Sequence, residues 1–190
     1  MKETIQEIFR ESIRVKEETL QQNLEKIMRA VEIISTALSS NKKILLMGNG
    51  GSAADSQHIA AELIGRFQKA RRSFAAIVLT TDSSILTALG NDYSFDIVFA
   101  RQIEGLGQPG DVVIAISTSG NSQNVIEGVK KAKAMGLQSI ALTGCGGGNL
   151  ASLCDISLIV PSNKTARIQE SHSCLYHTVC ELVERRLTDT

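Results

Sequence analysis

The sequence has 190 residues, 43% of them hydrophobic and 21% charged, with only two prolines, a composition that suits one compact core and excludes wholesale disorder or a multidomain enzyme. Twenty Lys plus Arg balance twenty Asp plus Glu, so the basic excess that displaces counterions from phosphate is missing and no nucleic-acid partner is expected. The opening MKETIQEIFRES lacks the apolar stretch of a signal peptide, and no run of about eighteen apolar residues follows, so no membrane partner and a cytoplasmic location are expected.

Residues 3–39 carry Ile5, Ile8, Phe9, Ile13, Leu20, Leu24, Ile27, Met28, Val31, Ile34 and Leu38, mostly spaced by three and four, which predicts one long or two consecutive amphipathic helices. Residues 1–40 therefore read as a helical arm for subunit packing, ahead of a domain at 41–190. After Asn41 short apolar runs end in Gly or Ser and lead into helical periodicity. The strands fall at Lys43 to Met47, Phe74 to Leu79, Asp111 to Ser117, Gln138 to Thr143 and Ile156 to Val160. Helices are expected at about 53–68, 83–105 and 123–135, near 150, and from Thr165 to Leu187, where Ile168, Leu175, Val179, Leu182 and Val183 form the inner face. Continuous apolar strands alternating with helices predict an α/β fold, a parallel sheet of flavodoxin-like order covered on both faces. The cysteines at 145, 154, 174 and 180 form no C-x-x-C pair and read as reduced, mostly buried thiols.

Two strand ends are unusual. The first runs into Gly48-Asn49-Gly50-Gly51-Ser52-Ala53-Ala54-Asp55, where Ser52 and Asp55 fit the S-x-x-D capping box and the glycines allow a ligand close to the backbone. The dinucleotide fingerprint is matched only loosely, because the acid expected at the end of the second strand is displaced: Asp82 lies about thirty residues on rather than twenty. The third strand ends in Ser117-Thr118-Ser119-Gly120-Asn121-Ser122, four hydroxyls in six residues at a helix start. Hydroxyls and free helix N–H groups together make a site for a phosphate dianion. In a sheet of order 2-1-3-4-5 both loops converge on the switch point where such folds bind ligands.

His58 and Glu62 stand four apart on the helix leaving the glycine loop, so they share a face and can hold a metal or pair an acid with a base. Gln169 and His177 in the last helix are eight apart, about 80° round the axis, and can point to a common side. His172 diverges from His177.

GNGGSAADSQHIAAELIGRF, GNDYSFD, ISTSGNSQNV and ARIQESHSCLYH resemble, in order and spacing, the phosphoheptose isomerases of the sugar isomerase (SIS) superfamily, from about residue 40 to the C-terminus. The serine motif alone marks a phosphosugar-binding SIS fold, whereas His58 and Glu62 together with Gln169 and His177 are far more specific. The resemblance implies conversion of D-sedoheptulose 7-phosphate to D-glycero-D-manno-heptose 7-phosphate, for bacterial surface polysaccharide. It implies one zinc per subunit on His58, Glu62, Gln169 and His177. Substrate contacts are implied at Asn49, Gly50, Gly51, Ser52, Asn91, Asp92, Ser117, Thr118, Ser119 and Ser122, with Glu62 and Gln169 shared. Glu62 is the expected base and His177 the expected relay or acid, acting through an enediol. A homotetramer is expected from the apolar surface of the arm and from the assembly of the resembling family. The competing reading is a SIS protein without catalysis, either a phosphosugar-binding module or an adaptor for a replication initiator.

Overall fold

The computed structural model describes residues 1–189. Residues Lys2–Ser39 form one helix of 38 residues, α1, so the arm is a single element. It is followed by β1 (Ile44–Gly48), α2 (Gly51–Ile64), β2 (Ala76–Val78), α3 (Ser83–Asp92), α4 (Val98–Leu106), β3 (Val112–Ser117), α5 (Gln123–Ala134), β4 (Gln138–Thr143), α6 (Gly148–Leu153), β5 (Ile156–Ile159) and α7 (Thr165–Thr188). The five strands form one sheet, parallel throughout, in the order β2-β1-β3-β4-β5.

Alternation along each strand divides the core. Ile44 and Leu46 of β1 join Ile114, Ile116, Ile140 and Leu142 under α1, α2 and α7. Leu45 and Met47 point the other way and pack with Val113, Ala115 and Ala141 under α4, α5 and α6. Both faces of the central strands are dry, which is why they read as unbroken apolar runs.

The inner stripe of α1 differs from the apolar periodicity. Val15, Thr19, Asn23, Ile27, Ala30, Val31, Ile34 and Leu38 are buried, whereas Ile5, Ile8, Phe9, Ile13, Leu20, Leu24 and Met28 are exposed. Three polar residues of α1 are buried; the Ser35 hydroxyl has no partner, but Thr19 and Asn23 find theirs. Thr19 donates to the Val15 carbonyl at 2.7 Å, and Asn23 both donates to the carbonyl and accepts from the N–H of Ile159 in β5, each at 3.0 Å.

Four expectations need correction. The helix expected over 83–105 is two helices, broken at Tyr93 and Ser94, because extended Ser94 accepts from Asp96 N–H and starts a short 3₁₀ turn. Leu182 is exposed rather than in the inner face of α7. Only Cys180 is buried, Cys154 is half-buried, and Cys145 and Cys174 are exposed, all four as free thiols. The capping box is not formed: Gly50 occupies the cap of α2, and Ser52 is already inside the helix. The helix starts two residues early because glycine at 50 adopts φ +53°, a conformation other residues rarely take.

Candidate active site

The register pairs Gly48 at the end of β1 with Ile116 in β3, so the loops after these strands lie side by side at the switch point. Asn49 and Asn124 lock them together: each amide donates to the other's oxygen, both bonds at 2.9 Å. Asn124 is buried at the start of α5. Sequence reasoning missed it because an amide in a helix's first turn looks like a surface residue, and only the facing Asn49 gives it a role.

The serine loop is held by its own groups. Ser117 and Ser122 hydroxyls meet at 3.0 Å, the Ser119 hydroxyl accepts from Asn121 N–H at 3.1 Å, and Asn121 Oδ1 accepts from Asn149 N–H at 3.0 Å. Ser122 occupies the cap of α5 without a side-chain cap bond, so its hydroxyl turns toward Ser117 instead of closing the helix. The free N–H groups of the first turn and these hydroxyls remain available to an anion.

Glycine at 51 serves a close approach. A Cβ there would collide with the Gln169 amide of α7, so Gln169 lies directly over the glycine loop. Ser52 is buried beside it, Asn49 is half-buried, and Gly50 and Gly51 are exposed.

One to three turns further along α2 the second centre appears. His58, Glu62 and His177 each offer a ligand-type atom, and these atoms all lie within 4.8 Å of one another. His58 Nε2 is 3.2 Å from Glu62 Oε1, and the rings of His58 and His177 meet edge to face at 4.9 Å between centroids. Two imidazoles and a carboxylate are donors that suit zinc, with a further position left for another ligand. Phe67 and Tyr176 wall the His177 ring, and the Tyr176 hydroxyl stands 3.0 Å from His58 Nδ1. Asp55, one turn before His58, is also on this side. Burial pushes its carboxyl above the ordinary range, with His58 and the Tyr176 hydroxyl pulling it back, and its Oδ2 is buried without a hydrogen-bond partner.

Among the residues expected in the site, the structure thus brings together His58, Glu62 and His177 in one cluster, and Asn49, Gly50, Gly51, Ser52 and Gln169 at the glycine loop. Ser117, Thr118, Ser119 and Ser122 lie beside that loop. Asn91 and Asp92 lie at the end of α3, exposed and bonded to each other at 2.8 Å. Tyr176 and Asp55 were not foreseen as site residues. A signal existed for Asp55, which shares the face of α2 with His58 and Glu62 at spacings of three and seven.

The end of α2 that carries Glu62 is fixed by a buried ion pair. Arg71 donates to the carbonyls of Glu62 at 2.8 Å and Leu63 at 2.9 Å, and its Nε donates to Glu184 Oε1 at 2.9 Å. Glu184 also accepts from the N–H groups of Phe67, Gln68 and Lys69. Burial acts to raise the Glu184 carboxyl, but these donors and Arg71 hold it below the ordinary range.

A hydroxyl-rich loop at the switch point of a 2-1-3-4-5 parallel sheet defines an α/β domain of the ligand-binding, doubly wound class, and the SIS domain profile matches residues 7–144. A phosphoheptose isomerase of Aquifex aeolicus is 55% identical over 189 residues, covering 100% of this chain and 99% of that one. Another from Nitratiruptor is 56% identical over 158 residues, covering 83% of this chain and 84% of that protein. Among solved structures, phosphoheptose isomerase GmhA of Neisseria gonorrhoeae superposes with a TM-score of 0.91 at 48% identity, over 96% of this chain and 98% of the other. That of Francisella tularensis gives 0.93 at 36% identity, over 96% and 97%. The chain belongs to the phosphoheptose isomerase family of SIS-domain proteins and is an isomerase. The Vibrio vulnificus NanR protein shares the fold at a TM-score of 0.60 and 18% identity. No described helix is long and apolar enough to cross a membrane.

Proposed function

We propose that the enzyme converts D-sedoheptulose 7-phosphate to D-glycero-D-manno-heptose 7-phosphate in the cytoplasm, as a homotetramer that supplies heptose for surface polysaccharide. The observation that carries this reading is the placement of His58, Glu62 and His177 along α2 and α7, away from the hydroxyl-rich loop. From Gly51 to His58 is seven residues, about 10 Å along a helix axis. An extended chain advances about 1.2 Å per bond. The eight bonds from C1 to the phosphorus of a heptose 7-phosphate therefore span about the same distance.

In this arrangement Ser117, Thr118, Ser119 and Ser122 hold the phosphate, with Asn49, Gly50, Gly51 and Ser52 on the facing loop. Gln169, Asn91 and Asp92 complete the substrate contacts. The Glu62 carboxylate takes a proton from C1 of the ketose, giving an enediol, and returns it to C2. His177 gives a proton to the C2 oxygen and takes one from the C1 oxygen, so the proton count closes. Remote phosphate binding places the C1–C2 pair at Glu62. His58, Glu62 and His177, joined by Gln169 once its amide leaves its place over Gly51, would hold one zinc per subunit, which supplies Lewis-acid polarisation of the carbonyl when bound. The exposed Ile5, Ile8, Phe9, Ile13, Leu20, Leu24 and Met28 supply apolar surface for residues 1–40 to act as the assembly arm.

The test is turnover of sedoheptulose 7-phosphate in deuterium oxide, followed by NMR. An aldoheptose phosphate carrying deuterium at C2 is expected. Glu62→Gln should cut turnover by roughly a hundred- to ten-thousandfold, with phosphosugar binding retained and metal content measured alongside. Parental turnover in a Glu62→Gln protein with unchanged metal content would refute Glu62 as the base, and absence of any aldose would refute the reaction.

A further inference from the structure

We propose that Tyr176 is a positioning residue for His58, its hydroxyl holding the imidazole through Nδ1 and thereby aiming Nε2 at Glu62 and His177. Tyr176 is only 4% exposed and belongs to the packed face of α7, whereas the His58 side chain is 47% exposed. A half-solvated imidazole on a helix surface has rotamers to choose from. Its Nδ1 bond to a buried phenol at 3.0 Å removes that choice, and the edge-to-face contact of the two rings at 5.4 Å restricts it further.

A phenol does something here that a backbone carbonyl or a carboxylate could not. Those groups only accept, whereas the tyrosine hydroxyl both donates and accepts. With Nε2–H donating to Glu62, Nδ1 bears the lone pair and the Tyr176 O–H points at it. When Nε2 must offer its lone pair to a divalent cation, the proton resides on Nδ1 and donates to the tyrosine oxygen. The phenolic proton is then released to another acceptor, and two are available. Ser173 Oγ is 3.4 Å from the hydroxyl, and the buried Asp55 Oδ2 has no donor of its own. The Tyr176 hydroxyl acts on the Asp55 carboxyl, and the orphaned oxygen gains a donor if the second state is one the protein uses. Tyr176 thus keeps His58 bonded in both tautomers, and phenylalanine would do so in neither.

The second state rests on the metal reading given above, and the first does not, so two measurements on Tyr176→Phe separate them. The variant keeps the ring and its packing and should fold as the parent does. In chelator-treated protein at about pH 8.5, above the ordinary imidazole range, NMR of isotope-labelled imidazole nitrogens reads the Nδ1 hydrogen bond directly. The His58 Nδ1 resonance is expected to move to the position of an unbonded pyridine-type nitrogen, with His177 unchanged. Zinc titration against a competing chromophoric chelator is expected to show binding ten- to a hundredfold weaker than in the parent, the usual effect of losing an outer hydrogen bond to a ligating histidine. An unmoved Nδ1 resonance, or zinc binding within threefold of a parent that does bind zinc, would overturn the proposal. A moved resonance in a protein whose parent binds no zinc would leave Tyr176 as the positioning residue and remove the metal reading alone.

Discussion

Replacing Glu184 by Ala should destabilise the protein by about 4 kcal/mol, and the figure follows from what the carboxylate holds. Its side chain is 3% exposed and that of its partner Arg71 is 4% exposed, so removing one leaves the other's charge buried and uncompensated, a loss of roughly 3–5 kcal/mol. The N–H groups of Phe67, Gln68 and Lys69 lose their acceptor too. At about 1–3 kcal/mol each if buried, they would add about 3–9 kcal/mol to that figure. They belong to the loop leaving α2, however, and water can reach them once the loop loosens, which keeps the total near the value for the pair. For a domain of this size about 4 kcal/mol corresponds to a melting temperature lower by roughly 8–16 °C. The assay is two-state chemical denaturation with thermal melting as a check. The loss should be fully present near neutral pH. The Glu184 carboxyl is held below its unfolded value, so its contribution is complete above the unfolded carboxyl range of about 4.3 and disappears as the pH falls through the folded value. Because Arg71 also binds the Glu62 carbonyl, turnover should fall in the same variant at temperatures where it is still folded. A melting temperature within about 3 °C of the parent would refute the account of the pair as the clasp on α2.

Ser119→Ala and Ser122→Ala should each weaken sugar-phosphate binding by about 1.5–3 kcal/mol, the worth of a charge-assisted hydrogen bond, with melting almost unchanged; titration calorimetry with unaltered affinity would make the loop a structural turn. Gly51→Ala should lower turnover by displacing the Gln169 amide that occupies the place of its Cβ, which steady-state kinetics reads, and an alanine variant with parental kcat and KM would show that Gln169 has room to move harmlessly. His172 is fully buried, bonded at 3.1 Å to the Thr143 carbonyl, and burial pushes it down to about 4. Between about pH 6.5 and 4 the unfolded chain binds this proton and the folded chain does not, so stability falls with pH through that window by about 3 kcal/mol from this group alone. A His172→Gln variant should have a flatter stability profile over that range, and an equally steep one would assign the loss elsewhere.

The sheet was legible because its strands are buried on both faces. A run such as Asp111 to Ser117 has no polar interruption to mistake for a turn, and the serine cluster that follows can only be a loop. Where a helix met solvent on most sides the pattern was ambiguous. Nothing in α3 is buried, so no inner stripe marked its end, and the break at Ser94 depends on one hydroxyl accepting from Asp96 N–H. Along α1 the same ambiguity assigned Leu20, Leu24 and Met28 to the stripe that Thr19, Asn23 and Ile27 occupy. Polar Asn23 is inside because β5 supplies its partners, a fact of tertiary contact. The residues named at the site were legible as chemical types, whereas Asn124 and Tyr176 act through a bond to one distant side chain and have no local signature.

The Asn23 clasp on Ile159 bears on how the molecule avoids aberrant association. A parallel sheet has two margins where backbone amides could recruit a foreign strand. Here one margin is β2, only three residues long. The other is β5, whose Ile159 is already answered on both its N–H and its C=O by one side chain from α1. The long helix therefore guards the sheet as well as covering it, and partial detachment of α1 uncovers a β edge and its apolar stripe in a single event. Conditions that fray this helix should convert an orderly enzyme into a fibre- or aggregate-forming species well before the sheet itself melts.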